Sequence, residues 1–548
     1  MKKLSYNVSD FKKIINSGFV YVDKTKLLKD LIESPSNQVF LARPRRFGKS
    51  LLLRTLHAIF EGDADLFAGL EIAKAGYKFE KYPVVYVNMA LDSYSPTILH
   101  TGLMDILLDI GKSKGVEISS RTPSGVLRNI GQRLAEKHGQ KVVILIDEYD
   151  YPISHNIEDT AVAKANSGIL SGFYSSLKEL EPYLHFVMVT GVTRYSMMGL
   201  SSGLNHLMDI SFIEEYAAIC GFTSEELKLY YGDRYDLTLD KLKKLGKMPS
   251  TSSKADLIKK ILAYYDGYSW DGETRVLNPW SILYFFNRCK FDNFWFNTAP
   301  SLNFLSHVIS TNCLALTPNN FIGVDPDTIV NPQLVNDVSS IPYLFYTGYL
   351  TIGTIIEPDD INNYDATKYN LKIPNLEVNT KFNTLLKSSL KKLINKKDDI
   401  NFETFINLIN NKDSIKLASY IRTIFSSLPS MHHQPNESRY HGILWGYFMG
   451  LLQDFDKVGI EVAKSGGNLD LLLLLKNTTH VVMELKYHPD DWIADKGEWK
   501  DYVNARLEAT AKLALKTINN KKYSETFHCQ GVEVVEVGVG IYGKGEIF

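Results

Sequence analysis

The chain has 548 residues, 45% hydrophobic and 22% charged, so it is too long for one core and too apolar for wholesale disorder; roughly three or four packed domains are expected. Its 61 basic and 62 acidic side chains leave a net charge of -1, which excludes a uniformly positive field and confines any nucleic-acid contact to local basic surface. Cys220, Cys289, Cys313 and Cys529 are scattered, the N-terminus lacks a signal-peptide core and no run of about 18 apolar residues occurs, so a cytoplasmic protein without a disulfide framework, structural zinc or membrane contact is expected.

The short apolar run Gln38–Ala42 leads into Arg43-Pro44-Arg45-Arg46-Phe47-Gly48-Lys49-Ser50, and Leu51–Phe60 then has helical length and spacing. Strand, loop and helix in that order are the context a phosphate-binding loop requires. Such a loop needs backbone N–H groups at a helix N-terminus, a lysine for phosphate oxygens and a hydroxyl for Mg2+. Gly48, Lys49 and Ser50 match these needs, with Ser50 as a metal ligand and Arg45 and Arg46 adding positive charge. Arg43 stands where the first glycine of the usual pattern would be, and Pro44 removes a donor, so the loop leaves its strand differently.

Pro83–Asn88 reads as a further strand. Val142–Ile146 is an apolar run suited to a strand buried on both faces, and it ends in Asp147-Glu148-Tyr149-Asp150. Asp147 can hold Mg2+ through water, and Glu148 is placed to polarise an attacking water. After the next strand, His185–Gly191, come Thr193 and Arg194, read either as a γ-phosphate sensor and an arginine finger or as a loop hydroxyl and a surface arginine.

Tyr21-Val22-Asp23-Lys24-Thr25 and the Arg43–Ser50 loop, followed by Ile146–Asp150, Thr190–Arg194, Cys220–Thr223, Tyr265–Tyr268, Asn278-Pro279 and Thr347–Thr351, make the chain resemble the AAA-ATPase-like proteins that carry a C-terminal PD-(D/E)XK nuclease domain. The resemblance spans nearly the whole chain. It makes Arg43, Pro44 and Phe47 part of the family's own form of the nucleotide loop, and it implies ATP and Mg2+ as cofactors. An arginine finger acting in trans would fit a homo-oligomer formed through the ATPase domain.

From Thr223 to Phe291 the pattern is helical with aromatic punctuation, which fits a helical lid or winged-helix element, and Tyr264, Tyr265 and Tyr268 are assigned to core. Pro358–Asp365 reads as a hairpin loop. Lys381, Lys387, Lys391, Lys392, Lys396 and Lys397 accompany Leu385, Leu386, Leu390, Leu393 and Ile394, giving an amphipathic helix whose basic face is a solvated surface or a DNA-backbone contact. Ser426–Pro429 and His432–Pro435 break regular structure and place a boundary nearby.

Leu469–Lys476 and His480–Tyr487 read as two strands of a tight hairpin with residue 476 opposite 480. In that register Asp470 lies opposite Lys486 and diagonal to Glu484, on one face. Asp470, Glu484 and the Leu485 carbonyl then form a divalent-cation site, with Lys486 positioning or activating water; the alternative is a surface salt bridge. Glu437–His441, Gly442–Leu452, Gly467–Asp470 and Glu484–Lys486 extend the family resemblance to the nuclease domain, which implies Glu437 as an additional ligand and Mg2+ or Mn2+ as the metal. Asn468 and Thr517 depart from residues the family often carries, Arg and Gln.

The fold class expected is α/β: an N-terminal P-loop ATPase with parallel sheet and helical lid, a helical middle region, and a C-terminal α/β restriction-endonuclease-like domain. The divisions are 1–215 for the ATPase core, 216–300 for the lid, 301–428 for a connecting mixed region and 429–548 for the nuclease-like domain. The function expected is an ATPase coupled to a metal-dependent phosphodiesterase acting on nucleic acid, DNA foremost. A nucleotide-switched signalling or nucleic-acid-binding protein that does not cut, and a remodelling ATPase with an adaptor domain, stay open as alternatives.

Overall fold

The structure, a computed structural model, describes residues 1–157, 159–194, 201–296, 323–330, 340–356, 367–382, 384–385, 402–426, 440, 444, 447–448, 455–464, 467–475, 479–488, 499–521, 533–542 and 546–547, with backbone alone at 201–202, 330, 340, 402, 426, 455–464, 467–470, 474–475, 479, 499–504, 533, 542 and 546–547. The Pro358–Asp365 loop, the basic positions Lys387–Lys397, the 427–435 break and Glu437 lie outside the described residues. The chain forms two compact units, 1–300 with 323–380 and 301–322 with 381–548.

In the first unit five strands form one parallel sheet: β1 (Gln38–Ala42), β2 (Val84–Asn88), β3 (Val142–Asp147), β4 (Leu184–Gly191) and β5 (Met208–Asp209), in the order β2-β3-β4-β1-β5. β4 therefore lies between the strand that feeds the phosphate loop and the strand that ends in Asp147. Every residue of β3 is buried, which is why its sequence reads as a continuous apolar run instead of alternating.

Helices cover this sheet and precede it: α1 (Phe11–Asn16), α2 (Thr25–Ile32), α3 (Lys49–Phe60), α4 (Pro96–Ser113), α5 (Pro123–His138) and α6 (Thr160–Glu179). Their starts follow local chemistry. Ser95 accepts a hydrogen bond from the Ile98 N–H at 3.3 Å and Thr122 one from Gly125 at 3.3 Å, each followed by proline at the first helical turn. The expected helical region is α7 (Ser224–Tyr231), α8 (Tyr235–Lys244), α9 (Lys254–Tyr265) and α10 (Pro279–Arg288). Thr223 with Glu226 and Ser253 with Asp256 form capping boxes at α7 and α9. Tyr265 and Tyr268 are buried, as their density suggests. The antiparallel pair β6 (Thr351–Ile356) and β7 (Lys368–Lys372) belongs to this unit.

The second unit carries α11 (Phe402–Asn410), α12 (Ser414–Ser426), β8 (Phe455–Lys464), β9 (Gly467–Leu475), β10 (Thr479–His488), α13 (Trp499–Asn520), β11 (Glu533–Tyr542) and β12 (Glu546–Ile547). Its sheet runs β12-β11-β10-β9-β8, antiparallel except for the parallel β10–β11 pair. A parallel pair needs a crossover, and α13 supplies it. Ile518 of α13 packs with Leu472 and Val482.

Gly538 and Gly540 of β11 let α13 approach the sheet at backbone distance. A Cβ on Gly540 would stand 2.4 Å from the Leu507 carbonyl oxygen and 2.7 Å from the Ala511 nitrogen, both backbone atoms that cannot rotate away. Gly540→Ala is therefore expected to lift the helix off the strand and to cost about 1–3 kcal/mol, read as an earlier unfolding transition in urea and faster proteolysis of the C-terminal unit.

Candidate functional site

The phosphate loop is shaped by two left-handed residues. Arg46 has φ 67° and Gly48 φ 103°, and the second is where α3 begins. Glycine takes that conformation without the Cβ clash that penalises other residues. Lys49, only 7% exposed, donates to the carbonyls of Arg43 at 2.7 Å and Pro44 at 3.0 Å. Burial pulls its pKa down, and the neighbouring acids Asp147, Asp150 and Glu148 pull it back up.

Arg43 departs from the expected nucleotide role. Its guanidinium is buried, donates to the carbonyls of Ala42 at 2.9 Å, Ser211 at 2.8 Å and Tyr216 at 3.4 Å, and stacks over Trp270 at 4.0 Å. Burial lowers its pKa to about 10, which leaves it charged at neutral pH. Arg43 thus fixes the loop from behind. Phe47, also buried, sets its ring edge-on to Tyr268 and Trp270. Arg46 lays its guanidinium over Trp280 at 4.0 Å, and the Arg45 carbonyl accepts from the Trp295 indole N–H at 3.1 Å.

At the end of β3 the Asp147 carboxylate is fully buried. It accepts from the Thr190 hydroxyl at 2.8 Å, the Glu148 N–H at 3.1 Å and the Tyr86 hydroxyl at 3.2 Å. Tyr86 lies beneath the Arg54 guanidinium of α3, 3.8 Å from the ring centre. A chain of contacts thus joins α3, β2 and β3. The motif pattern assigns no role to Tyr86, Thr190 or Arg54; for Tyr86 and Thr190 the signal available is a polar group inside an apolar strand.

Glu148 adopts φ 54°, a left-handed backbone uncommon for a residue with a side chain. Burial and the neighbouring Asp147 raise its carboxyl pKa, while Lys49 and Arg45 oppose the shift. Asp150, fully buried, accepts from the Val192 and Thr193 N–H groups and, at 2.6 Å, from the Thr193 hydroxyl. The Thr193 hydroxyl is therefore engaged by the segment that follows β3. Arg194 pairs with Asp209 at 3.2 Å.

A cavity of about 400 Å3 opens against the loop; Arg45, Arg46, Gly48, Lys49, Ser50 and Glu148 line it together with the apolar Val8, Val20, Val22, Trp280 and Leu283. That volume is within the range of small-molecule sites. Arg43, Asp147, Thr193 and Arg194 do not line it. Lys24 does, and it is salt-bridged at 2.6 Å to Glu226 of the α7 capping box, which ties the N-terminal segment to the helical region.

In the second unit, Glu484 of β10 is 2% exposed and its Oε1 lies 3.3 Å from the Lys486 ammonium. The hairpin register differs from expectation: residue 474, not 476, faces residue 480, and the ladder continues to Met483 opposite Leu471. Its next step sets Asp470 at the level of Glu484 instead of Lys486. The strands end at Leu475 and begin again at Thr479, each one residue earlier than the expected 476 and 480. Because the difference is two residues, the positions that share a face are unchanged. On the parallel side Glu484 and Lys486 face Gly538 and Gly540. Thr517 donates its hydroxyl to the Leu513 carbonyl of its own helix at 3.0 Å. Among the described residues no group of three or more metal-ligating side chains assembles, and no helix is long and apolar enough to cross a membrane.

Residues 5–201 match the model of a family described as predicted AAA-ATPase, and residues 435–547 match that of the PD-(D/E)XK nuclease superfamily. An uncharacterized protein from the vnfD 5′ region of Azotobacter chroococcum mcd 1 is 28% identical over 552 residues, covering 98% of this chain and 96% of the relative. The chain carries an AAA-ATPase-like domain followed by a PD-(D/E)XK superfamily domain, in the order the motifs indicate.

Removing the Arg43 side chain would strand three carbonyl acceptors in the core. Arg43→Ala is expected to cost about 2–4 kcal/mol of stability, visible as a lower melting temperature of the nucleotide-free protein. A purely phosphate-contacting arginine would leave that temperature unchanged.

Proposed function

We propose that this two-domain protein is a Mg2+-dependent ATPase whose nucleotide state governs a metal-dependent phosphodiesterase acting on nucleic acid, with DNA as the favoured substrate. The observation that carries the reading is the meeting of Lys49, Ser50 and Glu148 in the lining of one cavity that also has apolar and aromatic walls. A helix N-terminus with a buried lysine suits phosphate, and apolar walls suit a base.

Lys49 exchanges its two carbonyl acceptors for phosphate oxygens, and the backbone from Gly48 to Ser50 supplies N–H donors. Ser50 and, through water, Asp147 would hold Mg2+, which neutralises charge on the β and γ oxygens when bound. The donor set fits: Asp147 accepts three hydrogen bonds out of about four lone-pair sites. Glu148 orients water and takes its proton, and a carboxyl raised above its ordinary 4.5 is a better base near neutrality. Hydrolysis should then be lost as pH falls through that raised pKa. Thr193 and Arg194 act on the nucleotide only by giving up Asp150 and Asp209, so the reading gives them the shape of the β4 loop as their first task.

In the second domain Glu484, the Leu485 carbonyl, Asp470 and Glu437 would hold a divalent ion, Mg2+ or Mn2+, which stabilises charge on the scissile phosphate when bound. Lys486, beside Glu484, positions or deprotonates the attacking water. A buried carboxylate with an ammonium for neighbour suits this work.

The test incubates the protein with single- and double-stranded DNA and RNA, with Mg2+ or Mn2+, with and without ATP. Lys49→Ala is expected to weaken ATP binding at least tenfold, the loss of about one charge-assisted contact. Glu148→Gln is expected to bind ATP normally and to hydrolyse it about a hundredfold more slowly. Glu484→Ala is expected to abolish metal-dependent cleavage while leaving ATP hydrolysis intact. Cleavage by Glu484→Ala equal to wild type removes the nuclease site; no cleavage by any variant, with ATP turnover intact, favours a nucleotide-switched binding protein.

A further inference from the structure

Glu377 lies in the first unit, far along the chain from the phosphate loop, and its side chain is completely buried. It follows Asn375, whose side chain caps the helical turn by accepting from the Val378 N–H at 3.1 Å. One carboxyl oxygen accepts from the Ser281 hydroxyl at 2.7 Å and the other from the Trp295 N–H at 2.7 Å. Ser281 is the third residue of α10 and follows Trp280, the ring beneath Arg46 at the cavity wall. Trp295 in turn gives its indole N–H to the Arg45 carbonyl. One acid therefore joins two arms that both end on the phosphate loop.

We propose that Glu377 is the positioning residue of the phosphate loop: its buried carboxyl locks the Trp280 helix to Trp295, and through them fixes Arg45 and Arg46. This rests on the nucleotide reading above only for its effect on ATP; the loop geometry itself needs no nucleotide. A buried carboxyl that merely packed would be better replaced by an apolar group, whereas one that orients two donors must keep both bonds.

Three groups face Glu377 from the packed elements: Asp292, which repels its charge, and the phenols of Tyr265 and Tyr268. Burial drives both phenols upward, so neither titrates near neutrality. The Glu377 carboxyl is itself pushed up to about 8, first by burial. The folded state therefore keeps this proton up to about pH 8 while the unfolded chain releases it near 4.5. Stability falls as pH rises across that window and levels off above it. Ionisation is opposed by burial, while the Ser281 and Trp295 hydrogen bonds favour the charged form and offset part of that cost.

The experiment compares wild type, Glu377→Gln, Glu377→Ala and Trp295→Phe by hydrogen exchange of the 43–50 segment in nucleotide-free protein, by ATP titration and by steady-state ATP hydrolysis from pH 6.5 to 9.5. Glu377→Gln keeps an acceptor for the Trp295 N–H, and its amide group can donate to the Ser281 hydroxyl oxygen in place of the bond the carboxyl accepted, so it should protect the loop much as wild type does at pH 7. It should also lack the loss of protection and ATP affinity that wild type shows above pH 8. Trp295→Phe deletes the indole donor together with part of a buried ring, while leaving the backbone N–H whose hydrogen bond Glu377 accepts; it should speed exchange at 43–50, raise the ATP Kd and KM about tenfold, and change kcat less. Glu377→Ala should do the same, and if it fails to fold, Trp295→Phe decides. Wild-type exchange and ATP affinity in Trp295→Phe overturn the proposal, as does an alkaline loss that persists in Glu377→Gln. Faster loop exchange in the variants of a wild type that binds no ATP would uphold the lock and defeat the nucleotide reading.

Discussion

Between β1 and α3 the backbone has neither sheet nor helix to satisfy its carbonyls, and the acceptors of this stretch are satisfied one by one. Ala42 receives the Arg43 guanidinium, Arg43 and Pro44 the Lys49 ammonium, Arg45 the Trp295 indole and Phe47 the Gly221 N–H. An orphaned buried carbonyl would cost as much as a lost hydrogen bond, so these donors fix the loop's path. They also explain why a loop with arginine and proline in place of glycine is workable here. The turn that glycine usually permits by flexibility is imposed by packing, with Phe47 held between Tyr268 and Trp270.

Charge follows from that path. Lys49, Asp147 and Asp150 are each nearly or fully buried, and isolated ions in such surroundings would be driven neutral. Here each meets an opposite charge or several donors: Asp147 and Asp150 help hold the lysine charged, and three donors surround Asp147. Lysine's two carbonyl contacts are neutral acceptors, weaker partners than anionic oxygens, so an incoming phosphate gains more from Lys49 than it displaces. The strained φ of Glu148 has the same logic. A left-handed residue costs of order 1 kcal/mol or more and persists where surroundings over-determine it; here it is what brings Glu148 to the cavity while Asp147 stays buried beneath it.

Much of this frame was legible in the chain because it depends on local pattern. The run Val142–Ile146 announces a strand buried on both faces, the helix after Ser50 announces itself by spacing, and Gly48 marks the left-handed entry. The partners that hold the site were not legible. Trp295 reaches Arg45 across 250 positions and Glu377 reaches Ser281 across 96. No period or motif links residues so distant, and tyrosines, tryptophans and a glutamate in ordinary composition carry no mark of what they will bond. The carbonyl partners of Arg43 were not legible for a related reason. A cation in a phosphate loop suggests an anion partner, whereas a guanidinium has five donors and can be satisfied by carbonyls alone.

The hairpin of the second unit separates two kinds of sequence information. Alternation in a strand fixes which positions share a face, because a slip of one residue would turn Leu472 and Val482 out of the core they form with Ile518. A slip of two preserves the alternation, so the pattern cannot distinguish the 476–480 pairing expected from the 474–480 pairing found. What decides between them lies elsewhere in the fold. β10 is pinned on its other edge by ten parallel pairings to β11, from Thr479 opposite Glu533 to His488 opposite Tyr542, and β11 is pressed against α13 through two glycines whose positions allow no lateral play. The Glu484 strand is thus held on both edges, by β9 on one side and, on the other, by β11 whose glycines face residues some fifty places earlier in the chain.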